Sequence, residues 1–524
     1  MSVMKNMVKK SIQAAFVIWL ASFFGMPGRM ALGNEQRDVA ERNIVLFVTD
    51  DQGTQIGCYG DTVAATPAMD ALANDGLRFT RAFANTASCS PSRATILSGL
   101  QPHAHGQYGL AHNFHKFSAY HDVVRLALPQ LLSNAGYRTA RCGKFHIAPE
   151  GAFHFEQTIP ANSRSPVEMA DHCREFLTDH SSGKPFFLYF ATSDPHRGGG
   201  VDETSELEFK PDLFGNKPDR AAYPGIEEVF FDPADVVVPD FLPDTPETRA
   251  ELAQYYQSVA RIDQGLKHLV EILKEAGVYD KTLIVFTSDH GIAFAGAKTT
   301  VYEPGLQVPL IVRNPYASTR GKTCDSIVSH IDITPTLLDF AGQLDKAGDR
   351  PSNPINANQF WKERDEAVAE NRRGPNKFDR YHGRSWLSLT EDPSQPHHEF
   401  HFASHTFHEI QMYYPMRAYR DERYKLIWNV ASPLDFPFAA DLWAAASWQG
   451  QWQHGLSAAY GFRTIDSYIH RPRFELFDLQ QDPNETRNLA EDPQFADLLK
   501  SYQAKLKQAQ QDQHDPWISK WRYE

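Results

Sequence analysis

Short apolar runs alternate with amphipathic stretches through the first half of the chain. Residues 43–49, 185–191 and 282–287 are nearly continuous apolar segments, as expected of strands buried on both faces. Between residues 252 and 273, apolar positions recur every three or four residues, which predicts a long amphipathic helix. A helix over 128–135 and a strand over 137–142 fit the same alternation. Strands alternating with helices indicate an α/β domain with a large, mainly parallel sheet between helices.

The pattern changes towards the C-terminus. Residues 342–380 are rich in charges, Asn and Pro, which indicates an insertion or a linker. Beyond them, 419–430 and 474–479 are predicted strands and 493–508 is a predicted helix. These elements predict a smaller α+β domain built on an antiparallel sheet.

The first 33 residues have the three parts of a secretory signal peptide. A basic start precedes an apolar stretch from Ala14 to Met26, and Ala31 and Gly33 stand at the −3 and −1 positions of a cleavage site. The stretch is short for a bilayer span, so we expect an exported protein; the alternative is an uncleaved membrane anchor. A single N-glycosylation triplet, at Asn484, favours a bacterial periplasmic or secreted protein. The predicted organisation is a signal peptide over 1–33, a catalytic domain over 34–380 and a C-terminal domain over 381–524.

Composition narrows the class of protein. Of 524 residues, 42% are hydrophobic and 22% charged, which excludes a disordered chain and a multi-span membrane protein. Without the four basic residues of the leader, 48 basic face 65 acidic residues, a net charge of −17. This argues against nucleic-acid binding, but a small cationic pocket for an anionic substrate remains compatible with it. Besides Cys89, four cysteines allow three full disulfide pairings or can all stay reduced: Cys58, Cys142, Cys173 and Cys324.

Polar residues follow the predicted strands where ligands bind in α/β sheets. Asp50 and Asp51 follow the first, residues 194–197 a later one, and Asp289 and His290 the last. Three carboxylates at one sheet edge repel each other unless a cation lies between them; taken singly, each is a turn or cap residue. Oxygen ligands favour a hard ion, with Ca²⁺ ahead of Mg²⁺, and His290 keeps Zn²⁺ or Mn²⁺ open.

The strongest local motif is Cys-Ser-Pro-Ser-Arg-Ala-Thr-Ile-Leu-Ser-Gly over residues 89–99. Cys-x-Pro-x-Arg followed by Leu-Ser-Gly resembles the signature of the type I, formylglycine-dependent sulfatases. The resemblance implies an alkaline-phosphatase-like sandwich fold. It also implies that a formylglycine-generating or anaerobic sulfatase-maturating enzyme oxidises Cys89 to formylglycine (3-oxoalanine), whose aldehyde hydrate is the nucleophile.

Further elements occur in the order of that family. The Asp pair after the first strand and Asp289-His290 resemble its metal pairs, and Gly143-Lys144-Phe145-His146 resembles its Gly-Lys-x-His element. His196 resembles the histidine that meets the sulfate, and Lys298 the later sulfate-binding lysine.

The resemblance also implies roles, which follow from charge. Attack at sulfur increases the negative charge on the sulfate oxygens and on the leaving atom. Catalysis therefore needs cationic groups close to those oxygens and a proton donor for the leaving atom. Lys144 and Lys298 would supply positive field, Arg93 and His146 would orient and activate the hydrate, and His196 or Lys298 would protonate the leaving atom.

Several segments resemble the sulfamidase branch of the family, which acts on N-sulfoglucosamine: 88–93, 108–110, 194–197, 261–265, 414–417 and 514–517. This implies hydrolysis of sulfamate or sulfate ester groups on glycosaminoglycan-type sugars, foremost N-sulfoglucosamine of heparan or heparin. The chain departs from the branch in having His290 where Asn is expected and Lys298 where Arg is expected. Asp194 and Arg197 flank His196 and are predicted to contact the sugar; alternatively they pair with each other and shape the loop.

Other functions remain as alternatives. An O-sulfatase acting on another glycan fits the same motifs. A phosphatase or phosphodiesterase of the same fold would have a Ser or Thr nucleophile and more metal-ligating histidines. A non-enzymatic glycan-binding relative would not need the retained catalytic positions. The sequence leaves a homodimer open, and His103, His105 and His112 are candidates for the pocket mouth.

Overall fold

The computed structural model describes residues 42–112, 116–198, 210–344 and 381–523, all within one compact unit. The predicted signal peptide and nearly all of the predicted linker lie outside the described residues. The domain boundary at residue 380 therefore stays a prediction.

Sixteen strands and thirteen α-helices are described. The strands are β1 (Asn43–Thr49), β2 (Leu77–Phe79), β3 (Ala82–Phe83), β4 (Arg138–Gly143), β5 (Gln157–Ile159), β6 (Phe186–Ala191), β7 (Thr282–Ser288), β8 (Leu310–Arg313), β9 (Lys322–Cys324), β10 (Val328–Ser329), β11 (His401–His405), β12 (Met416–Arg420), β13 (Tyr424–Asn429), β14 (Ala459–Tyr460), β15 (Arg463–Thr464) and β16 (Phe474–Asp478). The helices are α1 (Pro67–Asn74), α2 (Cys89–Ser98), α3 (Pro102–His105), α4 (Leu128–Asn134), α5 (Pro166–Thr178), α6 (Pro246–Glu275), α7 (Glu303–Leu306), α8 (Ile333–Phe340), α9 (Ala440–Trp443), α10 (Ala446–Trp452), α11 (Ile465–Ile469), α12 (Ala496–Asp512) and α13 (Lys520–Tyr523).

The large sheet has eight strands in the order β5-β4-β6-β1-β7-β8-β2-β9. Only β8 runs against the others among these eight strands, so the prediction of a mainly parallel sheet is confirmed. Strand β1 lies at the centre, where Leu46 is in register with Tyr189 of β6 and Val285 of β7. Its seven residues are all buried, which explains its unbroken apolar sequence.

The two faces of the sheet pack into separate cores because successive strand side chains point to opposite sides. Val45 and Phe47 belong to a core with residues of α1, α5 and α6. Ile44, Leu46 and Val48 belong to a second core with residues of α2, α4 and α8. The sheet is therefore sandwiched between helical layers, which confirms the predicted fold class.

A second sheet, β11-β12-β13-β16, is antiparallel throughout, as predicted for the C-terminal region. The single strand predicted over 419–430 is wrong: it is two strands, β12 and β13. Asp421 Oδ1 accepts the backbone N–H groups of Arg423 and Tyr424 at 3.1 and 3.0 Å, an Asx turn that reverses the chain. The predicted helix over 493–508 begins later, as α12, and ends at Asp512.

The cysteines and the longer helices bear on the redox state of the protein and on membrane insertion. All five cysteines are free thiols in this structure, so none of the three possible disulfide pairings is formed. Among the described residues, no helix is both long and apolar enough to cross a membrane.

Candidate active site

Four neighbouring parallel strands end at one edge of the large sheet, and each delivers predicted site residues there. Strand β4 is followed by Lys144 and His146, β6 by His196, β1 by Asp50 and Asp51, and β7 by Asp289 and His290. Segments more than 200 residues apart in sequence thus meet, as expected at the carboxyl ends of parallel strands.

Three carboxylates form the floor of the site. Ligand atoms of Asp50, Asp51 and Asp289 all lie within 4.8 Å of one another, and all three residues are fully buried. Asp51 has a left-handed backbone (φ 63°), and its N–H donates to Asp289 Oδ1 at 3.0 Å. His290 Nε2 lies 3.0 Å from Asp51 Oδ1. The predicted metal ligands are therefore brought together.

Cationic side chains surround this floor. The buried Arg93 guanidinium donates from Nε to Asp289 (2.9 Å) and from Nη2 to Asp50 (3.1 Å), and Lys144 Nζ donates to Asp50. Burial alone would raise the pKa of Asp50, but Lys144 and Arg93 hold that pKa well below its ordinary value. Arg93 thus lies beneath the carboxylates and fixes their positions.

The donor set fits a divalent cation. Burial and the neighbouring Asp50 carboxylate raise the pKa of Asp289 to about 6, as expected of carboxylates clustered away from water. Three carboxylates with one imidazole form an oxygen-rich set suited to Ca²⁺, Mg²⁺ or Mn²⁺. The residues that would hold such an ion are Asp50, Asp51, Asp289 and His290.

Cys89 faces this cluster from the first residue of α2. Its Sγ lies 3.4 Å from His290 Nε2 and 3.8 Å from Asp51 Oδ1. Burial and the charge of Asp50 raise the pKa of the thiol. The helix ends at Ser98, and the following Gly99, with a φ of 65°, closes its last turn. The Cys-Ser-Pro-Ser-Arg motif therefore begins a fully buried helix whose first side chain lies next to the predicted metal ligands.

Lys298 and His196 flank the other side of the cluster. Lys298 Nζ lies 2.8 Å from Asp51 Oδ2 and 3.2 Å from His196 Nε2. The Lys298 side chain is 1% exposed, whereas those of His196 and Lys144 are 27% and 16% exposed. The opening of the site therefore lies at His196 and Lys144.

His146 is held neutral beside the site. Burial and the charge of Lys144 lower its pKa to about 2. Its backbone is left-handed (φ 55°), and its ring stacks on that of His112 with centroids 5.4 Å apart. The ring is therefore neutral at neutral pH and takes up a proton far less readily than an ordinary histidine.

Two residues near the site were missed by sequence reasoning. Asp441, from α9 in the C-terminal region, places Oδ2 2.7 Å from Lys298 Nζ and 3.9 Å from His196 Nε2. His408 Nδ1 lies 2.9 Å from the hydroxyl of Ser88, the residue before Cys89. Neither lies in a motif or follows a parallel strand, so no local signal indicated them.

Asp194 and Arg197 do not lie where they were predicted to act. The Asp194 carboxylate accepts from Arg164 (2.8 Å) and Arg261 (2.7 Å) and is fully buried. Arg197 Nη2 donates to Glu251 at 2.9 Å, and the residue is 3% exposed. They do not pair with each other either. The physical reason is charge pairing within the protein: both groups are neutralised by residues of other elements, above all α6, and are turned away from solvent.

Of the three histidines predicted to line the pocket mouth, two are buried in contacts with other parts of the protein. His105 is fully buried and bonds Thr95 within the α2–α3 region at 3.1 Å. His103 is 3% exposed, and its Nε2 lies 2.6 Å from the carbonyl oxygen of Gln513. Only His112 is close to a predicted catalytic residue, His146.

Comparison with known proteins gives concordant matches. Residues 42–343 match the family model described as Sulfatase. The chain is 36% identical to human N-sulphoglucosamine sulphohydrolase over 491 residues, 91% of each chain. It is 27% identical to an N-acetylglucosamine-6-O-sulfatase of Bacteroides thetaiotaomicron over 395 residues, 59% of this chain and 69% of that one.

Solved structures match along nearly the whole chain. One, of a protein in complex with its substrate D-glucosamine-2-N,6-O-disulfate, has a TM-score of 0.61 at 20% identity and covers 91% of this chain and 98% of its own. The phosphonate monoester hydrolase of Agrobacterium radiobacter has a TM-score of 0.55 at 19% identity, covering 90% and 96%. The fold is thus common to proteins of more than one chemistry.

Proposed function

Because this chain belongs to the sulfatase family, we propose that it is an exported enzyme that hydrolyses N-sulfate groups on glucosamine residues of heparan-type sugars. The observation that carries the proposal is the meeting of Cys89 with three buried carboxylates and two flanking lysines at one sheet edge. The 36% identity with human N-sulphoglucosamine sulphohydrolase over 91% of the chain supports the choice of substrate.

We propose that one divalent ion, Ca²⁺ as first candidate, is held by the carboxylates of Asp50, Asp51 and Asp289 with the imidazole of His290. A bound divalent ion supplies positive charge that polarises a sulfate oxygen and lowers the pKa of a nearby hydroxyl. The described side chains prepare the site for it: Arg93 fixes two of the carboxylates through separate nitrogens.

The nucleophile is proposed to be Cys89 after its oxidation to formylglycine by a maturating enzyme. The aldehyde hydrate carries two hydroxyls on one carbon, one to attack sulfur and one whose deprotonation releases the sulfate again. The position of Cys89 at the start of α2, beside Asp51 and His290, supports this role.

Four further side chains would bind the sulfate group, orient the nucleophile and donate a proton to the leaving group. Lys144 and Lys298 carry positive charge on opposite sides of the cluster and would hold the oxygens of the substrate's sulfate group. His146, kept neutral, would orient the attacking hydroxyl through a hydrogen bond. His196, partly exposed and 3.2 Å from Lys298, would face the leaving nitrogen and donate its proton.

Two alternatives are retained for the reaction. An O-sulfatase would use the same site on a sulfate ester, as the name of the N-acetylglucosamine-6-O-sulfatase relative indicates for that protein. A phosphatase or phosphonate hydrolase would share the fold, but the modification motif at residues 89–93 favours sulfatase chemistry. Export to the periplasm or medium, inferred from the first 33 residues, is part of the proposal.

The test uses full-length protein made in a host with and without a formylglycine-generating enzyme. Mass spectrometry of the tryptic peptide 82–93 should reveal the aldehyde only with the maturating enzyme, and only that sample should release sulfate from N-sulfoglucosamine. Glucosamine 6-O-sulfate and p-nitrophenyl phosphate serve as competing substrates. Cleavage of the 6-O-sulfate alone would replace the sulfamidase proposal with an O-sulfatase, and full activity of the unmodified thiol would overturn the mechanism.

A further inference from the structure

A cavity of about 490 Å³ lies beside the candidate active site, within the size range of ligand pockets. His146 belongs to both, and the backbone N–H of Ala111 in the cavity wall donates to Ser90 Oγ at 3.0 Å, one residue after Cys89. The cavity therefore borders the reacting centre directly. Its lining residues used below are Ala111, Lys116, Phe145, Ile147, Pro149 and Glu150.

The walls of the cavity are fixed by one buried amide. Gln107 is fully buried, and its Nε2 donates to the carbonyl oxygens of Gly109 (2.8 Å) and Phe117 (2.7 Å). Its Oε1 accepts the N–H of Ala148 from the opposite wall at 3.3 Å. Gln107 thus joins the segments that carry Gly109, Phe117 and Ala148 through the protein's own hydrogen bonds.

The lining chemistry fits an acidic sugar. Phe145 and Ile147 are buried in the cavity wall, and Pro149 is half-buried, so Pro149 offers most of the apolar surface that can pack against the C–H face of a sugar ring. Glu150 is paired with Arg141 at 2.9 Å, so its charge is balanced. Lys116 is exposed and makes no ion pair with the described part of the chain, which leaves a cation available at the cavity.

We propose that this cavity binds the second sugar, which is linked glycosidically to the sulfated glucosamine. Lys116 pairs with the anionic group of that second sugar, a carboxylate or a sulfate. The inference rests on the proposed function, because it places the reacting sugar at Cys89. Lys116 is then a specificity residue that distinguishes an acidic neighbouring sugar from a neutral one. It adds binding energy without touching the reacting atoms.

The experiment compares kcat/KM of wild-type, Lys116→Ala and Lys116→Arg enzymes on four substrates. These are N-sulfoglucosamine alone and its disaccharides with a hexuronate, with the carboxyl-reduced hexose and with a sulfated hexose. Lys116→Ala should lose about fivefold or more on the acidic disaccharides and little on the monosaccharide and the neutral disaccharide. Lys116→Arg should keep most of the activity because it retains the charge. The acidic disaccharide on which Lys116→Ala loses more kcat/KM shows whether Lys116 binds a carboxylate or a sulfate.

The matched control is Lys184→Ala, an exposed lysine just before β6, at the opposite end of that strand from the site. It should leave all four values unchanged. Equal losses on all substrates in Lys116→Ala, or no loss on any, would overturn the subsite while leaving the sulfamidase activity of the wild type standing. A wild-type enzyme that cleaves none of the four would instead overturn the proposed function, and this inference with it.

Discussion

Lys298 Nζ lies 2.7 Å from Asp441 Oδ2 and is shared with Asp51, whose Oδ2 is 2.8 Å away. The two partners of Lys298 come from the end of β1 and from α9, which are nearly 400 residues apart. Burial favours neutral groups, yet Lys298 and His196 hold the pKa of Asp441 below its ordinary value, so the carboxylate stays charged. A helix of the C-terminal region therefore completes a site built mainly on the large sheet.

Asp441→Asn should lower kcat/KM by about tenfold, or ~1.4 kcal/mol of transition-state stabilisation. The amide removes the charge that holds the ammonium of Lys298 in place, while the shape of the site is kept. Steady-state kinetics with a thermal unfolding curve checks this. Asp435→Asn, at a site 79% exposed, is the matched control and should behave as wild type. A wild-type kcat/KM for Asp441→Asn would show that Asp51 alone positions Lys298.

Removal of metal should destabilise the wild-type protein. An ion that binds only the folded state adds about 2.7 kcal/mol at 100 times its dissociation constant, so Tm should rise with Ca²⁺ after chelation. In Asp289→Asn, which removes one carboxylate of the cluster, Tm should no longer respond to Ca²⁺, and elemental analysis should find less than one ion per chain. Asp280→Asn, at a position 91% exposed, should keep the response. A Tm indifferent to chelation in the wild type would contradict the metal assignment.

Cys89→Ala should fold normally and lack activity because no nucleophile remains. Cys89→Ser should retain at most about 1% of turnover, since one hydroxyl can attack sulfur but cannot expel the sulfate again. Intact-mass spectrometry after incubation with substrate should detect sulfated protein in the serine variant. Cys58→Ser, at a half-buried cysteine outside the site, should stay fully active. Wild-type turnover by Cys89→Ser would rule out the hydrate mechanism.

Arg197→Lys should cost stability rather than substrate recognition. The guanidinium pairs with Glu251 and lies 4.7 and 4.5 Å from the ring centroids of Phe214 and Phe294, contacts that the narrower ammonium of lysine cannot reproduce. We expect a loss of about 2 kcal/mol in the free energy of unfolding with a nearly unchanged KM. Arg174→Lys, in the exposed pair with Glu275, should change neither quantity. A large rise in KM at unchanged stability would restore Arg197 to the substrate-binding set.

The buried pair of Arg417 and Asp515 predicts a pH dependence of stability. Two contacts of 2.6 and 3.1 Å join the side chains. Burial raises the pKa of Asp515, but Arg417 and His103 bring it down to about 2. A carboxyl whose pKa is lowered on folding stabilises the protein above its unfolded pKa of about 3.9, and this contribution is lost as the pH falls towards 2.

Asp515→Asn should therefore destabilise the protein by about 2 kcal/mol at neutral pH, measured from urea unfolding midpoints. The difference from wild type should stay constant from pH 7 to about pH 5 and shrink below pH 4 as the wild-type carboxyl takes up a proton. Asp512→Asn, at an exposed position, should give no such curve. A difference that remains the same down to the lowest measurable pH would contradict the linkage.

Local periodicity accounts for much of the fold. The strands β1, β6 and β7 begin and end within one residue of their predicted limits, because strands buried on both faces need unbroken apolar sequence. The reversal at Asp421 was missed although the charged residues at 420–423 interrupt the apolar pattern there. The hydrogen bonds of the Asx turn at this point separate the two strands.

The sequence by itself determined the alternation of strands and helices, the modification motif at Cys89, and the convergence of Asp50, Asp51 and Asp289, since parallel strands must end at one edge. Only the tertiary structure decided the partners of each charged group. Asp441 reaches Lys298 through packing of the C-terminal region, and Arg197 turns to Glu251 because a buried guanidinium needs a buried carboxylate. Such pairings depend on distances between segments far apart in the chain, and no local pattern of residues encodes them.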